Sequence, residues 1–281
     1  METITQYFET IPSLHRTLIL VGGLTFFWLL ESAVPLFRFS YQKWRHASLN
    51  LFFTLTTIVV NFLLAFLLVK ASDWTVVNQF GLLYWLSLDG WLFLISGVLL
   101  MDLIGAYFIH WLEHKVKWMW QFHIIHHSDK ELDTTSANRH HPGESVFRLA
   151  FTILAVVLIG APIWMIFLYQ TMSVVLTQFN HANISMVSWL DNTLKLVFVT
   201  PNMHRVHHHY RQPYTDCNYG NIFSFWDRIF GTYRTAPNEK LIYGVDTMME
   251  SEKTDNIVEL LKKPFTKYIP AVDYPEEENL G

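Results

Sequence analysis

Residues 49–69, LNLFFTLTTIVVNFLLAFLLV, carry no charged side chain. About 20 consecutive apolar residues in a helix cross a bilayer. Three further runs follow the same logic. Residues 17–37 span if Glu31 sits near one end. Residues 91–109 span with one acid, Asp102, and an acid at that depth faces the protein interior. Residues 149–179 are apolar throughout but broken by GAP at 160–162. Pro162 ends one helix and starts another well, which leaves either two short spans or a re-entrant hairpin. The expected fold class is therefore all-α, an integral membrane helical bundle of about four spans.

Composition supports this. Charged residues make up 16% of the chain against roughly 25% in soluble domains, and 51% are hydrophobic. The 11 tryptophans suit membrane interfaces. A net charge of −4 argues against nucleic acid as a partner. The single cysteine, Cys217, excludes an intrachain disulfide and a Cys-based zinc site. Residues 1–15 are mixed and acidic without a basic leader, so no signal peptide is expected.

Loop charges orient the bundle. The first loop carries Arg38, Lys43 and Arg45, while the loop around 70–90 has only Lys70 as a base. Positive residues favour the cytoplasmic side, which places the first loop inside and the second outside. The organisation read from this is an N-terminal membrane hairpin with loops at 1–90, a histidine-rich region at 91–235 and a polar surface tail at 236–281. Within the tail, NIVELLKKPF suits a short amphipathic helix.

The chain has 14 histidines, and all but His15 and His46 fall between residues 110 and 209. His110 and His114 are spaced i, i+4. His123, His126 and His127 are spaced i, i+3, i+4, and His204, His207 and His208 repeat that pattern. Such residues share one helical face. Neutral imidazole is the commonest metal ligand, so each cluster can aim two or three nitrogens at one point. His15 and His46, isolated in sequence, read as structural. Zinc takes four ligands or three, and a six-coordinate ion takes five or six with a position left open. Eight or more imidazoles therefore imply two metals. A rival reading takes HWLEH (110–114) as an inverted zinc-protease motif, with Glu113 polarising a water on zinc held by His110, His114 and a distant acid. That reading leaves the later clusters unexplained and puts more weight on Glu113 than the flank of the helix, where it is otherwise expected. A non-catalytic metal-binding membrane protein is the third reading.

The array H-x3-H, H-x2-H-H, H-x2-H-H resembles the fatty acid hydroxylase / sterol desaturase superfamily of bacterial-type membrane non-haem di-iron enzymes. HHSDKELDTTSANRHHP (126–142), NHANISMVSWLD (180–191) and TPNMHRVHHHYRQPYTDCNYGNIFSFWDRIFGTY (200–233) carry the rest of the resemblance, which covers about residues 90–235. It implies a membrane domain under a cytoplasmic helical cap, with a dinuclear site where they meet. It implies a ligand set of His110, His114, His123, His126, His127, His141, His181, His204, His207 and His208. His140 and His209 are neighbours that can swap with His141 and His208. His141 is favoured because it precedes Pro142, and His208 because it keeps the i+4 spacing.

The implied activity is O2-dependent hydroxylation or desaturation of a C–H bond in a membrane lipid: a sterol, fatty acyl chain or ether lipid. Two iron ions and O2 are the implied cofactor and co-substrate. Asp102, Glu113, Asp191 and Asp227 are candidate acids for orienting the rings, with a salt bridge to Arg228 the plainer role for Asp227. Electrons are expected from an external ferredoxin or cytochrome-type donor docking near Arg205, Arg211 and Arg234. A bacterial inner membrane is the expected location, with the histidines and the C terminus on the cytoplasmic side.

Overall fold

A computed structural model of the chain describes residues 1–273. The apolar runs form helices: α1 (Glu2–Glu9), α2 (Ser13–Ala33), α3 (Lys43–Val77), α4 (Gly90–Asp102), α5 (Ile109–Lys115), α6 (Lys117–His127), α7 (Pro142–Ile159), α8 (Ile163–His181) and α9 (Pro201–His207). A π-helical turn, Leu103–Phe108, carries α4 into α5 without a break. Among the described residues no strand forms beyond isolated bridges.

Four stretches are long and apolar enough to cross a membrane: Ser13–Ala33, Lys43–Trp85, Gly90–Lys115 and Pro142–Ile159. Helix α2 buries only Glu31 and turns Leu14, Leu18, Phe26 and Leu29 outward. Apolar surface of that extent belongs in contact with lipid rather than water. The chain is an integral membrane helical bundle.

The 149–179 run forms two helices joined at a tight corner. Gly160 ends α7 in the left-handed conformation, φ 84°, and Pro162 is the N-cap of α8. A Cβ at Gly160 would lie 2.5 Å from the Phe80 carbonyl oxygen, so the close approach demands glycine. With 18 and 19 residues, α7 and α8 each extend about 27–28 Å at 1.5 Å per residue, close to the depth of the hydrocarbon core. Their shared tip rests on the loop after α3, and Ser72 Oγ donates to the Ala161 carbonyl at 2.9 Å. Met101, Val156, Ile159, Met165 and Ile166 fill the core between α4, α7 and α8.

The histidines gather at the opposite end. There the first turns of α3 hold the cap: His46 Nε2 lies 2.8 Å from Asp129, and Asn50 donates to Thr135 Oγ1 at 2.9 Å. Glu31 ends α2 at the same level and accepts the Thr134 and Asn183 N–H groups at 3.0 and 3.1 Å. Asp102 faces the interior, accepting the Ile222 and Phe223 N–H groups at 3.2 Å and Trp226 Nε1–H at 3.1 Å.

The tail differs from its reading as a polar surface segment. Leu241, Tyr243, Val245, Met248 and Leu260 are buried, partly against Ile124, Ile125 and Val206 of α6 and α9. Most fall in short apolar runs, 241–243, 248–249 and 260–261, set among polar residues without a sustained periodicity. The short helix Ile257–Lys262 is present, capped by Asn256. Residues 274–281 of that tail lie outside the described residues.

Candidate metal centre

Helix α5 presents His110 and His114 one turn apart. Helix α6 faces it with His123 and His127, and His207 of α9 joins them. The ligating atoms of these five residues all lie within 4.8 Å of one another. A second group meets the same criterion: His126 of α6, His181 at the end of α8, and His204 and His208 at α9. Helices α6 and α9 each serve both groups, because i+3 and i+4 neighbours straddle one face. The groups therefore share a wall. The rings of His127 and His208 stack at 4.7 Å, and those of His123 and His126 lie 5.2 Å apart.

The nitrogens are arranged in a consistent sense. His110 Nε2 is 3.1 Å from His123 Nε2 and 3.0 Å from His207 Nε2. His181 Nε2 is 3.2 Å from both His126 Nε2 and His204 Nε2, and His208 Nε2 is 3.3 Å from His204 Nε2. Five of the nine Nδ1 atoms have acceptors, while those of His126, His127, His204 and His208 are buried without one. His110 donates to the Tyr219 carbonyl at 2.9 Å and His207 to the Cys217 carbonyl at 2.6 Å. His123 donates to Glu144 at 2.9 Å, His114 to Asp216 at 3.2 Å, and His181 to the Thr177 carbonyl at 2.8 Å. An Nδ1–H held this way leaves the Nε2 lone pair facing inward.

Lone pairs pointed at one another need a cation between them. Two nitrogens about 2.1 Å from one ion at right angles lie about 3.0 Å apart, the spacing found here. His114 Nε2 and both nitrogens of His127 are buried with no hydrogen-bond partner, which is costly unless another ligand takes the lone pairs. These residues fit a metal in each group. Protonation does not relieve the crowding. Burial pushes the His123 pKa down to about 3. Burial first, then repulsion between neighbouring imidazoles, holds His126, His127, His204, His207 and His208 well below the usual range.

His141, expected as a ligand, is turned away. It caps α7 by accepting the Gly143 N–H on Nδ1 at 2.9 Å and donates Nε2–H to the Leu261 carbonyl at 3.2 Å. His140 takes the inward place, its ring stacked 4.5 Å from His126 and its Nδ1 2.8 Å from Glu144. His209 also faces away, with its Nδ1 accepting the Ile242 N–H at 3.2 Å. His15 contacts Tyr7 and His46 contacts Asp129, outside both groups.

The acids differ more. Glu113 is fully buried rather than on the flank, ion-paired with Arg148 and 3.7 Å from His123 Nδ1. Its Oε2 is held by Arg148 while Oε1 has no hydrogen-bond partner. Asp102 holds the 222–226 loop instead of a ring. Asp191 accepts from Thr200 Oγ1 at 2.7 Å. Asp227 accepts the Tyr219 N–H at 2.7 Å and so reaches His110 only through that residue's backbone, not through an Arg228 bridge. Two acids that hydrogen-bond the rings, Glu144 and Asp216, were missed. Glu144 had a faint signal, its i+4 spacing from His140; Asp216 had none. Arg205 and Arg211 are buried, which removes them from a basic docking surface.

The neighbouring histidines predict opposite responses. His141→Ala is expected to cost about 1 kcal/mol, the worth of a helix cap, with bound metal unchanged. His140→Ala is expected to weaken metal binding by roughly 10–100-fold. Metal content and thermal midpoints of both variants check this, and metal loss confined to His141→Ala would reverse the placement.

Residues 94–232 match the family model described as fatty acid hydroxylase. The chain belongs to the fatty acid hydroxylase family. Among its family relatives, the ornithine lipid hydroxylase of Rhizobium tropici is 27% identical over 163 residues, 58% of this chain and 47% of that protein. The alkylglycerol monooxygenase of Homo sapiens is 32% identical over 148 residues, 50% of this chain and 30% of that one. The cholesterol 25-hydroxylase of Homo sapiens is 29% identical over 129 residues, 45% and 46%. The matched region spans less than half the length of each of these relatives. No solved structure matches the chain.

Proposed function

We propose that this chain is an O2-dependent di-iron oxidoreductase that oxidises a C–H bond of a membrane lipid, by hydroxylation or by desaturation. The observation that carries the reading is the convergence of nine histidine rings into two adjoining groups, with the Nδ1 atoms of His110, His114, His123, His181 and His207 tied outward. His110, His114, His123, His127 and His207 would hold one iron, and His126, His181, His204 and His208 the other, with His140 beside the second. When bound, the pair supplies the redox chemistry that couples O2 reduction to hydrogen removal from an unactivated carbon. The protein's part is to fix the rings through Glu144, Asp216 and the carbonyls of Tyr219, Cys217 and Thr177, and to exclude water by burial. Neutral imidazoles put little negative charge on the metals. For hydroxylation the balance is R–H + O2 + 2 e⁻ + 2 H⁺ → R–OH + H2O, so two electrons must come from a ferredoxin or cytochrome-type donor.

The substrate class rests on the family relatives, whose names specify an ornithine lipid, an alkylglycerol and cholesterol, and on a centre at the end of membrane helices. A bacterial inner membrane with the centre on its cytoplasmic side is the location we assign. Lys43 and Arg45 stand at the start of α3, on the same end as the histidines, which supports that orientation.

Iron and zinc measured on detergent-purified protein, followed by incubation with a one-electron reductant, O2 and a membrane lipid extract, test the proposal. Two irons per chain and a lipid gaining one oxygen or losing two hydrogens are expected. One zinc per chain and no lipid product would overturn it.

A further inference from the structure

Trp120 stands between the five-histidine group and solvent. Its ring lies 4.9 Å from that of His114, 5.4 Å from His127 and 6.2 Å from His123. Tyr219 also touches three rings of that group, His110, His114 and His207, but it is fully buried, so of the two Trp120 is the ring that reaches the surface. It is half-buried, and with His114, Asp216 and Tyr268 it lines a cleft that opens on the surface. Lys117, one turn earlier on α6, lies over the Tyr268 ring at 5.6 Å, and Lys115 pairs with Asp216 at 2.7 Å.

Two of the cleft's features matter together. A metal site buried this deeply cannot be touched by a protein donor, so electrons must cross an intervening layer. Here that layer holds an indole with its contacts on three imidazoles, beside Asp216, the hydrogen-bond partner of His114. Packing alone needs an apolar side chain at this place, and Leu or Met would serve it; a conjugated ring in contact with three rings of one group does more. On the reading given above, we infer that Trp120 is the relay through which electrons reach the five-histidine group. Each of the two electrons needed per turnover leaves a reduced one-electron carrier at the cleft and passes across the indole to the metals, one at a time. The carrier is oxidised, the metals are reduced, and Trp120 ends each transfer unchanged. The protons are taken from water and do not travel with it.

The sequence makes the test clean. Cys217, the single cysteine, is fully buried, so Lys117→Cys supplies one accessible thiol for a ruthenium photosensitiser at the cleft. Glu252→Cys supplies a second, separate attachment point beside another cavity. Flash photoreduction of the iron-loaded protein then reports the injection rate directly, without turnover. From position 117, Trp120→Leu is expected to slow injection by about tenfold or more, within the range seen when groups around metal ligands are altered. Trp120→Phe is expected to retain most of the rate. Iron content should be unchanged in both, and injection from position 252 should not respond to Trp120. Equal rates from position 117 in the parent and Trp120→Leu would overturn the relay. So would equal slowing from both positions, which signals an altered metal potential, or loss of iron from Trp120→Leu, which makes the ring a structural wall. A parent protein lacking a reducible iron pair would instead overturn the di-iron reading, and that is seen before any variant is made.

Discussion

His207→Ala is expected to strip most of the bound metal, whereas Glu113→Gln leaves metal content near that of the parent. His207 is fully buried and sits at the junction of the two groups. Its ring lies 4.5 Å from those of His110 and His127 and 4.7 Å from His114. On the other side it is 5.3 Å from His204 and 5.4 Å from His208. Removing it takes one of five donors from the first group and leaves the Cys217 carbonyl without its 2.6 Å partner. An unsatisfied buried acceptor costs about 1–3 kcal/mol, and the hole lets water in beside the remaining donors. Activity should fall below detection. Glu113→Gln is a milder change. The amide oxygen still accepts from Arg148, and no inward nitrogen is lost. A drop of at most roughly 10–100-fold in activity is expected, the scale for residues behind the ligands. Metal analysis of both purified variants decides. Equal metal content, with activity lost only in Glu113→Gln, would restore the protease reading of HWLEH.

The pairs of adjacent histidines show how far the sequence could be read. Spacing of i, i+3, i+4 sufficed to collect eight of the nine grouped residues, because a helical face is a local property, and His181 came only with the family resemblance. It could not separate His140 from His141. Proximity to Pro142 favours His141 in the sequence, yet the residue before a proline is held extended. His141 adopts φ −63°, ψ 139° and becomes the cap of α7, which spends its Nδ1 on Gly143. His208 against His209 was easier, since His208, the C-cap of α9, keeps the i+4 spacing from His204. The apolar runs announced the helices, and Gly160 with Pro162 announced the α7–α8 corner. The partners of the rings were not legible. Asp216 lies 102 residues from His114 and Glu144 lies 21 from His123. The carbonyls of Tyr219 and Cys217 belong to a loop without periodic pattern. Long-range contacts of this kind follow from packing, which a single sequence does not display.

Glu144 is where that hidden packing carries the largest second effect. Its Oε1 accepts from His123 Nδ1 at 2.9 Å, His140 Nδ1 at 2.8 Å and Arg148 Nε at 3.0 Å. One buried carboxylate therefore orients a ring in the first group, a ring beside the second, and the guanidinium that also holds Glu113. Glu144→Ala removes all three bonds and leaves His123 free to rotate its Nε2 away from His110. Breaking a buried charged cluster by deleting one member costs about 3–5 kcal/mol. Metal affinity should fall by a further 10–100-fold, roughly, because the Nε2 lone pair is no longer aimed. Glu144→Gln keeps the volume and one acceptor oxygen, so it should fall between parent and Ala. The two contributions separate by linkage, since a ligand stabilises the folded state only in proportion to its affinity for it. Thermal midpoints of parent, Gln and Ala measured with and without added Fe²⁺ should show two things. The metal-free midpoint falls from parent to Ala, and the rise on adding iron shrinks in the same order. If the metal-free midpoint falls but the rise on adding iron is the same in all three, Glu144 only holds the fold together, and the orientation of His123 must come from elsewhere.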